Sequence, residues 1–200
     1  MLNKLTIILL FAMFQLTAYG QQTYRLDIKK SKLLWNGQKT MGGHFGYILF
    51  NAGTLNYTSE GERKDGTFTI DMNTMRATDH TKEGKNKKVD DELRTPGFFD
   101  VAQYPTATMA VKQIIHTEQA NNYKVTGDLT IKGITNPITF TALIKGTGNT
   151  LTATAATQIN RVKWRIDFQP KKGDWNLFAA IKDEMITENI DISLNLVFNK

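Results

Sequence analysis

Cysteine is absent from the 200-residue chain. Disulfides, thiol nucleophiles, thiolate metal centres and lipid attachment through an N-terminal cysteine are therefore all excluded. Histidine is nearly absent: His44, His80 and His116 are the whole supply, with no pair at the helical spacing of a zinc motif. So small a set leaves little for an imidazole-rich metal site, and none is expected. Serine occurs only at Ser31, Ser59 and Ser193, never inside a Gly-x-Ser-x-Gly turn. Asp90-Asp91 and Asp183-Glu184 are paired carboxylates, but charged turns produce such pairs without catalysis. An enzyme needs converging groups of matched acidity, and the sequence does not supply them. Excess charge is also modest, with 25 Lys and Arg against 19 Asp and Glu, a net +6. No nucleic-acid-binding module is present to use it.

Long apolar runs are missing too, with one exception at the start. Lys4 precedes a nearly continuous apolar stretch from Leu5 to Leu16, and Ala18-Tyr19-Gly20 places small residues before Gln21. These are the three parts of a secretory signal peptide, and the run is too short to span a bilayer comfortably. The expectation is an export segment over 1–20 and one domain over 21–200, delivered to the periplasm or secreted. Loss of Lys4 would leave a net charge of +5. An exported domain without cysteine must draw its stability from packing and sheet closure.

What the chain does have is alternation. Tyr24, Leu26 and Ile28 alternate with Arg25, Asp27 and Lys29; Phe68, Ile70 and Met72 alternate with Thr67, Thr69 and Asp71. Near the end, Ile190, Ile192, Leu194, Leu196 and Phe198 keep a period of two with Asp191, Ser193 and Asn195 opposite. Such segments are antiparallel strands with one dry and one wet face. Lys64-Asp65-Gly66, Gln119 to Asn122, Asn136-Pro137, Gly146 to Asn149 and Lys171 to Asp174 read as turns between them. About eight strands result. Only 77–100 breaks the pattern: its crowded charges before Pro96-Gly97-Phe98-Phe99 read as a crossover with a short helix. Many short-linked antiparallel strands must manage their edges, and closure into a barrel does so, with a sandwich as the competing solution. An integral membrane barrel is disfavoured by the missing outward aromatic girdle and the Asn199-Lys200 terminus.

Five stretches in order resemble the YceI-like family of exported polyisoprenoid-binding proteins. They are Trp35-x-Gly37-x-Lys39-x-x-Gly42-x-His44-x-Gly46; Gly66-x-Phe68-x-Ile70-Asp71-Met72-Asn73-x-Met75 with Asp79 beyond; and Leu93-Arg94-x-x-Gly97-Phe98-Phe99-Asp100-Val101-x-x-Tyr104-Pro105. Tyr123-x-Val125-Thr126-Gly127-Asp128-Leu129-Thr130-Ile131-Lys132-Gly133 follows, then Asn160-Arg161 with Asp183 and the terminal strand. The resemblance implies an all-β, extended antiparallel lipocalin-like barrel whose interior holds an isoprenoid lipid, polyprenyl or prenyl-quinone in type, and no established chemistry. Departures from the family pattern fall at Glu92, at Val162 to Asp167 and in the extra lysines at 82, 85, 87 and 88. They bear on the headgroup rather than the fold.

Candidate ligand contacts are the large side chains Trp35, Tyr47, Phe50, Phe98, Phe99, Trp164 and Phe168, each of which reads equally as core filling. His44, set among glycines, suits a hydrogen bond to a polar headgroup or a structural bridge between loops. Arg161 suits an ion pair with Asp79 or Asp100, or an anionic headgroup. His80 and His116 read as incidental. The lysines of the crossover admit transient contact with an anionic membrane surface, although Glu83, Asp90, Asp91 and Glu92 dilute their field. The alternative to lipid carriage is an envelope stress or interaction module with a solid core, acting through its charged surface.

Overall fold

Alternating side chains make strands, and strands leave backbone groups that must find partners along their edges. The computed structural model describes residues 22–39, 42–58, 62–166 and 186–200. The proposed export segment, Phe168, the Lys171 to Asp174 turn and Asp183 lie outside the described residues.

Among the described residues nine strands form: β1 (Gln22–Leu26), β2 (Lys32–Lys39), β3 (Gly43–Tyr57), β4 (Arg63–Ala77), β5 (Thr106–His116), β6 (Asn122–Ile131), β7 (Ile134–Thr147), β8 (Thr150–Asn160) and β9 (Ile186–Asn199). All neighbours are antiparallel, in the order β1-β3-β2-β9-β8-β7-β6-β5-β4, and β3 pairs with β4 to close the ring. Both β1 and β2 lie between β3 and β9. They are one stave interrupted by a turn at Asp27, whose carboxylate accepts from the Lys29 and Lys30 amides. The result is an eight-stave closed barrel, all-β apart from α1 (Glu83–Leu93) and a 3-10 turn at Arg161–Trp164. Among the described residues no helix is long and apolar enough to cross a membrane.

Asn136-Pro137, expected as a turn, lies inside β7, with Pro137 opposite Asp128. The reversal comes earlier, at Lys132 and Gly133, both with positive φ (51° and 69°) as a two-residue hairpin turn requires. Proline is tolerated because β7 pairs with β8 only from Ala142 onward, so at residue 137 that edge needs no donor.

One irregularity shapes the interior. Tyr47 pairs with Arg76 and Leu49 with Asp71, so Ile48 stands opposite four residues of β4, Met72 to Met75. The loop-out is tied down by several hydrogen bonds. Thr74 Oγ1 donates to the Asp71 carbonyl at 2.6 Å and accepts from the Leu49 amide at 2.8 Å. The Met72 amide reaches Pro105 O at 3.0 Å, and the Arg94 guanidinium caps the carbonyls of Asn73 and Met75 at 3.1 and 2.8 Å. A bulge of this kind re-aims side chains. Here it turns both Met72 and Met75 inward, and both are almost wholly buried.

The crossover packs α1 across one end of the barrel. Its buried positions, Asn86, Val89 and Asp90, lie at helical i, i+3, i+4 spacing. Asp90 is completely buried; it accepts from the Ala77 amide at 2.6 Å and from Arg76 Nη1 at 3.0 Å. The Asn86 amide clasps the backbone of His80 from both sides, at 3.0 and 2.8 Å. These bonds dock the helix through satisfied polar groups as well as through Val89.

Candidate functional site

Strand registers place the termini of the site. Gly37 pairs with both His44 and Ile190, Asn160 with Asn189, and Gly46 with Ala77. The starts of β3 and β9 and the ends of β2, β4 and β8 therefore share one end of the barrel with α1, hereafter the helix end. The hairpins after Tyr57, His116 and Thr147 lie at the other. Inside is a cavity with about 220 Å³ accessible to the centre of a water molecule, against the roughly 10–15 Å³ that one water needs. It is no packing defect.

Its wall is the inward phase of the strands. Ile190, Ile192, Leu194, Leu196 and Phe198 all line it, a run of roughly 27 Å along β9 at about 3.4 Å per residue. With the strand tilt usual in barrels this is about 20 Å of depth. Small residues make the room: Ala107, Ala142, Ala153 and Ala155 line the wall, with Ala142 directly opposite Ala155. Among the described residues, polar side chains on the wall are confined to Thr154 and Thr157 on β8 and to His44, Glu92 and Arg161 at the helix end. The far end is Leu55, Phe68, Leu151 and Phe198. The cavity is thus polarised, with an apolar shaft and a mouth that carries the charges.

Of the candidate residues, Trp35, His44, Phe50, Phe98, Phe99 and Arg161 are brought together on this wall. Trp35 carries an unusual feature: its buried indole Nε1 has no hydrogen-bond partner among the described residues. Tyr47 is not on the wall. The inward phase of β3 belongs to Ile48 and Phe50, and Tyr47 instead meets the Lys32 ammonium over its ring at 5.2 Å. Trp164 is buried but also off the wall; its Nε1 donates to Leu129 O at 3.1 Å. The 3-10 turn that carries it is N-capped by the Asn160 side chain and tied to β7 by the Asn136 amide, which donates to the Lys163 carbonyl at 3.0 Å. Phe168 lies outside the described residues.

Arg161 is 5% exposed, and its Nε and Nη1 donate to the carbonyls of Thr187 and Ile166 at 3.1 and 2.9 Å. Neither Asp79 nor Asp100 is its partner. Asp100 sits in a positive-φ turn before β5, its carbonyl taking the amides of Gln103 and Tyr104. Asp79 faces His44, with Nδ1 to Oδ2 at 2.9 Å, and His80, with Nε2 to Oδ2 at 3.3 Å. Burial pushes the Asp79 carboxyl up, but hydrogen bonds from His44 and its own backbone amide, with the charge of both imidazoles, outweigh burial and hold it below the usual value. His80 is therefore not incidental. His116 packs edge-on against Tyr123, on strands whose facing ends lie away from α1.

Alternation put Met72 on the dry face with Phe68 and Ile70, where the wall has it, but sequence reasoning missed Met75, Val89 and Leu93 as wall residues. Met75 breaks the period of two and the other two come from the helix, so strand alternation carried no signal for them. Spacing within α1 could have found Val89.

The comparisons agree with this architecture. A solved Burkholderia cenocepacia protein, BcnA, superposes with a TM-score of 0.66 at 21% identity, covering 86% of this chain and 98% of that one. A Saccharophagus degradans domain described as polyisoprenoid-binding and implicated in plant cell wall breakdown gives 0.61 at 15% identity, covering 88% and 97%. At these identities the likeness is one of fold. In sequence, Protein YceI of Escherichia coli O6:H1 is 33% identical over 98 residues, 42% of this chain and 47% of that protein. Protein YceI of Salmonella arizonae is 29% identical over 92 residues, with the same coverage. The chain thus spans about half the length of the curated relatives it matches. The family model of the YceI-like domain matches residues 24–198, and the chain belongs to the YceI-like family.

Proposed function

We propose that the protein binds and carries an isoprenoid lipid, of polyprenyl or prenyl-quinone type, with its tail in the barrel and its headgroup at the helix end. The observation that carries this reading is the polarised cavity. A shaft of about 20 Å exceeds half the ~30 Å hydrocarbon thickness of a bilayer, so it suits a chain longer than one leaflet's acyl tail. Methyl-branched chains gain from apolar contact alone, at about 25 cal/mol per Å² removed from water. The polar end is then fixed by a few groups. Arg161 and His44 suit an anionic or carbonyl oxygen, and the unpartnered Trp35 indole supplies a further donor. The description of the Saccharophagus domain as polyisoprenoid-binding supports the same class of cargo.

Binding rather than catalysis is the activity. A solid-cored interaction module is the poorer account, because the centre of the barrel is hollow. The export segment expected over 1–20 supports work outside the cytoplasm, where lysines 82, 85, 87 and 88 of the crossover are suited to brief contact with anionic lipid during loading. Fractionation of the host, with the protein found in the cytoplasm at full length, would refute that placement.

The direct test is native mass spectrometry of the protein purified from its own host, followed by organic extraction. The expected result is one bound species per chain whose homologues differ by an isoprene unit. A protein that arrives empty and takes up no prenyl quinone from mixed micelles would end the lipid reading.

A further inference from the structure

The structure assigns a divalent metal site, of the first-row transition type, to His44, Asp79 and His80 at the helix end. Their ligand atoms all lie within 4.8 Å of one another. The distances to Asp79 Oδ2, 2.9 Å from His44 Nδ1 and 3.3 Å from His80 Nε2, match the edges of a coordination shell. Ligands about 2.0–2.1 Å from a zinc-sized ion stand about 2.9–3.4 Å apart in octahedral or tetrahedral geometry. Only the His44–His80 edge has to contract, and the two rings already meet edge-to-face at 5.7 Å between centroids.

A second, independent observation points to a missing ligand. The Asp79 side chain is only 8% exposed, yet among the described residues its buried Oδ1 has no hydrogen-bond partner beyond the residue's own backbone amide. A structural His–Asp–His bridge has no use for that oxygen. An ion bound by the carboxylate would satisfy it directly or through a coordinated water.

The backbone that carries Asp79 and His80 is also held in place by bonds that do not involve the three side chains. The Thr78 amide donates to Phe45 O at 2.9 Å, locking the residue before Asp79 onto β3. The Asn86 side chain grips the His80 backbone from α1. Positioning of ligands by elements that pack for other reasons is what a preformed site requires. His44 and His80 remain 25% and 34% exposed, which leaves a path for the ion from solvent.

Two imidazoles and one carboxylate select the metal class. This donor set suits Zn²⁺, Co²⁺, Ni²⁺ or Fe²⁺ with open positions for water, whereas Mg²⁺ and Ca²⁺ prefer all-oxygen shells. On binding, each imidazole presents a lone pair by carrying its proton on the other ring nitrogen, so no redox step and no covalent change is involved. Because His44 also lines the cavity, the ion would sit at the rim. The site stands whether or not the cavity holds a lipid.

The test uses the untagged, chelator-dialysed full chain. Calorimetric titration with Zn²⁺ should give one site per chain with a Kd of about 10 µM or tighter. Millimolar Mg²⁺ should not compete. His80→Ala and Asp79→Asn should each weaken binding by about 10-fold or more, and His116→Ala should leave it unchanged. Histidine ring resonances of the wild type give a second readout that does not depend on any variant folding: Zn²⁺ should move those of His44 and His80 and spare His116. No binding below about 1 mM, binding that survives both His80→Ala and Asp79→Asn in folded protein, or shifts confined to His116 would each overturn the assignment.

Discussion

Ala155 shows how little a single methyl group contributes when it faces empty space. It lines the cavity opposite Ala142. In a filled core, replacing it with leucine would force neighbours aside at about 1–3 kcal/mol. On the wall of a hollow barrel the added carbons have room, so Ala155→Leu should melt within a degree or two of the parent or above it while losing prenyl-quinone uptake. A clear drop in melting temperature with binding intact would mean that the side chain faces a packed neighbour. Trp35 makes the complementary case. Its indole N–H is buried and unpartnered, a state that costs about 1–3 kcal/mol. Trp35→Phe removes that donor along with some packing, so stability should change little. Affinity for a quinone or other oxygen-bearing head should fall about 3–10-fold, the value of one net hydrogen bond. A bare polyprenyl hydrocarbon should bind as before; equal weakening for both ligands would reduce the indole to a wall of the right shape.

At the level of elements, α1 depends on a few buried polar bonds. Asp90 holds the Ala77 amide and the half-exposed Arg76, so Asp90→Ala strands a buried N–H and frees a cation. The expected cost is about 2–3 kcal/mol in urea unfolding. Hydrogen exchange should show where it falls: α1 amides lose protection while β6 to β9 keep theirs. Uniform loss across the barrel would show instead that the helix is integral to the core. How far these elements were legible in the sequence follows from the range of the interactions involved. The terminal run Ile190 to Phe198 announces its strand because alternation is local, and all five residues face the cavity. Tyr47 was misplaced because size was weighed without phase; Ile48 and Phe50 already fix the inward side of β3. Met75 could not be read at all. It turns inward because Ile48 faces four residues of β4, a fact of register between two strands. The same holds for Asp79, which meets His44 across that pairing rather than Arg161, and for Asn136-Pro137, whose place in β7 depends on where β8 departs.

The whole molecule joins a closed hydrogen-bonded wall to an unfilled centre, and that combination has a thermodynamic consequence. Closure pairs most of the strand backbone without any crosslink, although β7 and β8 part before residue 142, so the barrel does not need its interior packed in order to exist. The hollow still forfeits the dispersion contacts that a dense interior makes, and a bound chain restores them. A ligand that binds only the folded state at 100 times its Kd adds about 2.7 kcal/mol. For a chain of this size each kcal/mol raises Tm by about 2–4 °C. Delipidated protein reloaded with a prenyl quinone should therefore melt roughly 5–10 °C higher than the empty form. Ala155→Leu, its shaft narrowed, should show little of that rise, because the leucine takes space the chain would fill. Scanning calorimetry on the four samples decides the matter. Equal upward shifts in parent and variant would place the lipid on the outer surface, and no shift in either would leave the cavity without the cargo proposed for it.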